Sequence, residues 1–190
     1  MLNSVDLIAN SKIYAAFDPS SVAVGYALAQ GDQLIDSGTH KPPNDRKIEK
    51  DLRAQKRLAS IFRFADNFFS KHDVDVVVLE IPAGDHGNRR TDRLVARAGA
   101  MIEAAAFKWG IDPENIMRIY PTQIKSMGIH KNALRAAKAE VVRGYNLRGE
   151  EAPMHYEIDM DGDQADAIGA WRYAFTMQRQ ANLIALSRRS

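Results

Sequence analysis

An α/β domain with a mixed five-stranded sheet flanked by helices is what this sequence predicts, on two observations. Three strand-like runs follow one another early in the chain around tight-turn signals, and after them strand and helix alternate. The first run, Ile13-Tyr14-Ala15-Ala16-Phe17, is apolar and short, and residues 1–12 before it read as a loose lead-in. Ser21 to Leu28 and Gln33 to Gly38 flank Gly31-Asp32, a turn pair that predicts antiparallel neighbours. After Pro42-Pro43, Asn44 or Asp45 is placed to cap a long helix, in which Ile48, Leu52, Leu58, Ile61, Phe62, Ala65, Phe68 and Phe69 recur mostly at three and four. That helix should cover one sheet face. The run Val74-Asp75-Val76-Val77-Val78-Leu79 is too β-branched and too short to prefer a helix, so it reads as a buried strand. A loop with Pro82, Gly84 and Gly87 follows, then an alanine-rich helix from about Asp92 to Trp109 ended by Gly110. A fifth strand is expected from Asn115 to Tyr120. Beyond Pro121 come a short basic stretch, a helix from about Lys131 to Arg143 stopped by Gly144, an irregular segment, and a last helix from Gly162 to about Leu186.

Composition bounds what such a domain can do. The chain has 190 residues, 45% of them hydrophobic, which suits one domain with a real core and is too few for two large ones. It has no cysteine, so disulfides and thiolate metal sites are excluded and any metal must be held by oxygen or imidazole. No apolar stretch reaches membrane-spanning length and no basic, then greasy, N-terminal segment is present. The expected location is therefore the cytoplasm. A net charge of +2 permits an acidic polymer as partner without demanding one.

Carboxylates at the ends of these elements carry the chemical signal. Asp18 follows the first strand, Glu80 closes the fourth, and Asp163 and Asp166 lie three apart at the head of the last helix, on one face of it. Taken singly each has an ordinary role: Asp18 as the cap of a turn before Pro19, Asp163 as a helix cap. Glu80 is harder to explain that way, because a carboxylate at the end of four aliphatics costs free energy unless it is paired or metal-bound. Together the four would hold two Mg2+ ions, with Mn2+ as a substitute, since these ions prefer carboxylate, phosphate and water oxygens. Without cations they would repel one another and some would take up protons; the helix dipole should favour the ionised forms of Asp163 and Asp166. Asp159, Asp161 and Asp163 imitate the start of an EF-hand loop, but Gln164 and Ala170 stand where its glycine and closing glutamate belong. The five histidines, His40, His72, His86, His130 and His155, are expected at exposed polar positions.

The order Asp18-Pro-Ser-Ser with a following Gly25, then Val-Val-Leu-Glu80-Ile-Pro, then Pro-Thr-Gln-Ile-Lys125, then Asp163-Gln-Ala-Asp166-Ala resembles the RuvC-type Holliday-junction resolvases of the ribonuclease-H-like superfamily, over nearly the whole chain. The resemblance implies a ribonuclease-H-like fold in a single domain, and a bacterial or bacteriophage enzyme of the crossover junction endodeoxyribonuclease type. It makes Asp18, Glu80, Asp163 and Asp166 the metal ligands, and Lys125 and Lys138 the lysines near the scissile phosphate, with Lys131 a competitor for the second. It also implies a homodimer, because a four-way junction offers two strands to cut symmetrically. Ala96, Ala98, Gly99, Ala100, Ala104, Ala105 and Ala106 would allow a partner helix to approach, although packing on the chain's own sheet explains them equally. One departure stands out. Better-known bacterial relatives have an aromatic residue soon after the Glu, whereas residues 81–90 contain none, which points toward activity on branched DNA more broadly.

Basic residues supply a substrate argument beside the resemblance. Arg89, Arg93 and Arg97 are spaced by four and form a stripe if the second helix begins by Arg89, with Arg90 beside them. Lys125, Lys131, Arg135 and Lys138 continue the positive charge, and such contacts to phosphate would position DNA without reading bases. The plain alternative is a solvated charged face. Other functions remain open: a nuclease of the same fold acting on RNA or RNA/DNA hybrids, or a catalytically silent branched-DNA-binding protein. An actin-like sugar kinase needs two such lobes and a phosphate loop, and neither is present.

Overall fold

The computed structural model describes residues 11–82, 89–126, 133–147, 149–151 and 160–188. Its five strands are β1 (Ile13–Pro19), β2 (Val24–Gln30), β3 (Gln33–His40), β4 (Val76–Glu80) and β5 (Ile116–Ile119). They form one sheet in the order β3-β2-β1-β4-β5. β1 pairs antiparallel with β2 and parallel with β4, so the sheet is mixed, as the succession of elements predicts. Gly31, at φ 55°, supplies the left-handed residue of the β2–β3 turn.

Alternation along β1 and β4 divides the core in two. Tyr14 and Ala16 with Val76 and Val78 point to one face, while Ala15 and Phe17 with Val77 and Leu79 point to the other. The second face is covered by α1 (Lys50–Phe69) and α2 (Arg89–Lys108). Ile61, Ala65, Phe68 and Phe69 bury the α1 stripe there, and Ala98, Ile102, Ala105 and Ala106 bury that of α2. On the first face lie α3 (Pro121–Ser126), α4 (Ala133–Leu147) and α5 (Gly162–Ser187). Trp171 of α5 is fully buried and donates from its indole nitrogen to the Gly31 carbonyl oxygen at 3.2 Å, tying the helix to the hairpin tip. No described helix is long and apolar enough to cross a membrane.

Several boundaries differ from the sequence expectation. α1 starts at Lys50 after Glu49, which makes no side-chain cap, and Asp45 instead accepts from the Lys47 amide in the preceding turn. α4 runs through Gly144 to Leu147; the glycine is buried inside the helix, and Gly149, at φ 70°, is the residue beyond the end that takes the left-handed conformation. α2 begins at Arg89 and Gly110, at φ 78°, follows its end, so the condition for an arginine stripe is met by the backbone. His40 and His72 are half-buried rather than exposed: His40 stacks on Phe64 with ring centroids 4.5 Å apart and bonds Ser60 Oγ at 3.1 Å, and His72 lies 4.8 Å from Phe68. Burial accordingly lowers the pKa of His40. His86, His130, His155 and Asp159 lie outside the described residues.

Candidate active site at the carboxylate edge of the sheet

Asp18 and Glu80 come together because β1 and β4 are adjacent and parallel. Phe17 pairs with Leu79, so the next residue of each strand is an acid, and the alternation turns both toward the α5 face. Asp18 also faces Gly25 across the antiparallel β1–β2 ladder. A Cβ at Gly25 would lie 1.8 Å from the Asp163 carbonyl oxygen and 2.2 Å from its carbon. Only a residue with no side chain lets the first turn of α5 rest backbone against backbone on the sheet beside Asp18. Gly25 is thus the residue that sets the depth of the site.

The head of α5 is then fixed by polar contacts to β3. Asp161 is its N-cap and accepts from the Gln164 amide at 3.0 Å, while the Thr39 hydroxyl donates to the same carboxylate at 2.6 Å. The buried Gln164 side chain donates to Ser37 Oγ at 3.0 Å. Capping therefore falls to Asp161, and Asp163 is released from the role that ordinary helix chemistry would give it. The turn after β1 is likewise closed by another residue: Ser20 Oγ accepts from the amides of Val22 and Ala23 and donates to the Ala23 carbonyl. Neither Asp18 nor Asp163 serves as the cap.

Electrostatics show that the acids converge. The Asp18 carboxyl is pushed up to about 8, first by burial and then by the negative charges of Glu80, Asp166, Asp163 and Asp161. Acids of β4 and of the head of α5 thus act on one carboxyl group of β1. Glu80 Oε2 is buried as well. Asp163 is raised by burial and by Asp161, against the pull of Lys41, a shift opposite to the one expected from its place at a helix N-terminus. For Asp161 burial is overcome by the bonds from Thr39 and Gln164 and by Lys41, whose Nζ lies 3.6 Å from Oδ2, and its pKa is lowered. Among the described residues, no three acids or histidines are drawn to metal-ligating distance. A set of oxygen-only donors surrounding a carboxyl that resists ionisation nonetheless fits a hard divalent cation, whose charge would reverse that resistance.

The basic residues are placed less uniformly. Arg93 and Arg97 are exposed on α2, Arg135 is exposed on α4, and Lys138 is half-buried there. Arg89, Arg90 and Lys125 are located by their helix backbones, and their side chains and all of Lys131 lie outside the described part. Sequence reasoning missed Lys41, the cation that the fold brings to Asp161 and Asp163, and it missed Gly25, Ser37 and Thr39 as the residues that seat α5. The position of Lys41 one residue after β3 was the available signal. Small residues of α2 divide: Ala98, Ala105 and Ala106 are buried against the sheet, whereas Ala96, Ala100 and Ala104 are exposed.

No protein-family model matches the chain, and no curated protein matches it. Solved structures do. RuvC from T. thermophilus in complex with a Holliday junction substrate superposes with a TM-score of 0.61 at 20% identity, covering 88% of this chain and 95% of RuvC. A second Thermus thermophilus RuvC structure gives 0.58 at 19% identity, with 87% and 95% covered. The yeast mitochondrial Holliday junction resolvase Ydc2 gives 0.56 at 14% identity, with 95% of this chain and 88% of Ydc2 covered. The chain therefore has the fold of the RuvC-type resolvases along nearly all of its length.

Proposed function

We propose that this chain is a divalent-metal-dependent endonuclease that cuts Holliday junctions and other branched DNA. What supports the reading is one observation above all: burial, Glu80, Asp166 and Asp163 together hold the Asp18 carboxyl at about 8. A fold that brings acids of β4 and of the head of α5 against one half-buried carboxyl of β1 sacrifices stability, and a bound cation offsets that loss. Asp18, Glu80, Asp163 and Asp166 would hold two Mg2+ ions, or Mn2+ in their place. Bound there, such ions activate a water and stabilise the leaving oxygen of a phosphodiester.

The chain's own groups supply the rest. Gly25 and the Thr39–Asp161 contact keep Asp163 and Asp166 beside the strand ends. Lys125 and Lys138, or Lys131 in place of the second, add positive charge at the scissile phosphate. Arg89, Arg90, Arg93, Arg97, Lys131 and Arg135 bind the DNA backbone. Two copies related by a two-fold axis would present two such sites to a four-way junction.

A synthetic four-way junction incubated with and without Mg2+ tests this. Cleavage should require the ion, and Asp18→Asn or Glu80→Gln should reduce the rate by about a hundredfold or more while junction binding persists. Binding without any cleavage by the unaltered chain would leave a silent binding protein, and preferential cutting of an RNA/DNA hybrid would move the substrate to that class.

A further inference from the structure

α1 and α2 lie side by side and parallel, and the two ends of their seam are opposite in character. At the C-terminal end Asp66 accepts from Lys108 Nζ at 2.7 Å and from the Trp109 indole nitrogen at 2.8 Å. Toward the N-terminal end the helices part around a cavity of about 650 Å³, whose charged lining is Lys50, Arg53, Arg57, Arg93 and Arg97 with Asp51 as the acid. Cations there face one another across a floor that includes Leu58, Leu94 and Met101. Like charges beside an apolar floor repel more strongly than in open water.

Two of these guanidinium groups are held in place by residues 44–48, just before α1. Arg53 donates from Nη2 to the carbonyls of Arg46 and Ile48 at 3.3 and 3.0 Å, and Arg57 donates to Asn44 Oδ1. Their Nε atoms are buried and have no hydrogen-bond partner among the described residues. A guanidinium held at Nη2, with its Nε enclosed by protein, stands on the groove wall as a fixed and poorly solvated positive charge, which a phosphate in the groove would offset. The chemistry of the seam calls for an anion.

We propose that this groove is a phosphate-binding track that holds the backbone of a DNA arm on the sheet face opposite the carboxylates. The identity of the polymer rests on the nuclease reading above; the need for an anion does not. Ala100 of α2 lines both this groove and a neighbouring cavity that reaches Pro19 and Glu80, so the groove lies next to the catalytic edge of the sheet. A second copy of the chain is a poor occupant, because a two-fold axis through the groove would bring the same five cations face to face.

The test is binding of a labelled four-way junction in chelator, measured by fluorescence anisotropy over a range of salt, so that cleavage plays no part. Lys50, Arg93 and Arg97 are exposed, so the variant K50Q/R93Q/R97Q can be compared with R63Q/K71Q/R188Q, which removes as many cations elsewhere. The groove variant should bind at least about tenfold more weakly, with the slope of log affinity against log salt reduced by roughly 2 to 3, and the comparison variant should change little. Its melting temperature should hold or rise, because mutual repulsion has been removed; a merely structural role would lower it. Equal loss in both variants, an unchanged affinity, or dissociation of a dimer with DNA binding intact would overturn the proposal. So would competition by polyglutamate as effective as that by linear duplex. If the groove variant behaves as expected and the unaltered chain never cuts, the nuclease reading fails and the groove stands.

Discussion

Phe17 and Asp18 are neighbours in β1, yet they belong to two differently built faces of one sheet. Phe17 is enclosed by Phe68 and Phe69, with ring centroids 5.4 and 5.9 Å away, in a core of aliphatic and aromatic side chains. Asp18 turns to the other face, where α5 arrives close enough to touch the β2 backbone at Gly25 and brings further carboxylates with it. On the Phe17 face each side chain gains from burial. At the Asp18 edge burial is unfavourable for the charged group that undergoes it, and the head of the helix is held by hydrogen bonds, from Thr39 to Asp161 and from Gln164 to Ser37. The difference separates what keeps the molecule folded from what it is folded to present.

Substitutions on the two faces should therefore fail in different ways. The largest expected effect is on the aromatic face: Phe17→Ala should lower the unfolding free energy by about 3–5 kcal/mol in urea denaturation. The molecules that remain folded should keep their cation affinity within a few-fold, since the acids lie on the other side. Gly25→Ala should cost about 3 kcal/mol, because the new methyl would stand 1.8 Å from the Asp163 carbonyl oxygen and α5 must retreat. This variant should lose junction cleavage even where it is folded. Gly99→Ala sharpens the contrast from the α2 side. Among the described residues its methyl would meet only Pro19 Cγ, at 3.8 Å, so stability should be unchanged or gain up to about 1 kcal/mol.

The sequence made some of this plain and concealed the rest for physical reasons. The ends of β1 and β4 were legible because a β-branched or apolar run broken by a single acid is a local pattern. The succession of elements predicted a mixed sheet, and the structure adds that those two strands are parallel neighbours in it. The start of α5 at Gly162 was legible, but which aspartate caps it was not: with Asp161 as the cap, Asp163 becomes available to the site. Helix ends are where local pattern is weakest, as Glu49 and Gly144 also show. Contacts between residues far apart in the chain, such as Thr39 with Asp161 and Gln164 with Ser37, leave no local trace. The role of Gly25 was similarly hidden, because what forbids a side chain there is the backbone of Asp163. Arg53 and Arg57 read as part of a solvated helix face; only the packing of α1 beside α2 gathers them with Arg93 and Arg97.

The central claim is that Asp18, Glu80, Asp163 and Asp166 form one cation site, and calorimetric titration of the metal-free chain with Mn2+ tests it most directly. The raised pKa of Asp18 means that below about 8 a proton occupies the group and the cation must displace it. Binding should therefore tighten as pH rises toward 8, and near neutral pH it should release close to one proton, read from the heat in buffers of different ionisation enthalpy. Asp18→Asn should remove the proton release and weaken binding at least about tenfold. A chain that takes up no Mn2+, or one that binds it without releasing a proton and is indifferent to both Asp18→Asn and Glu80→Gln, would contradict the account.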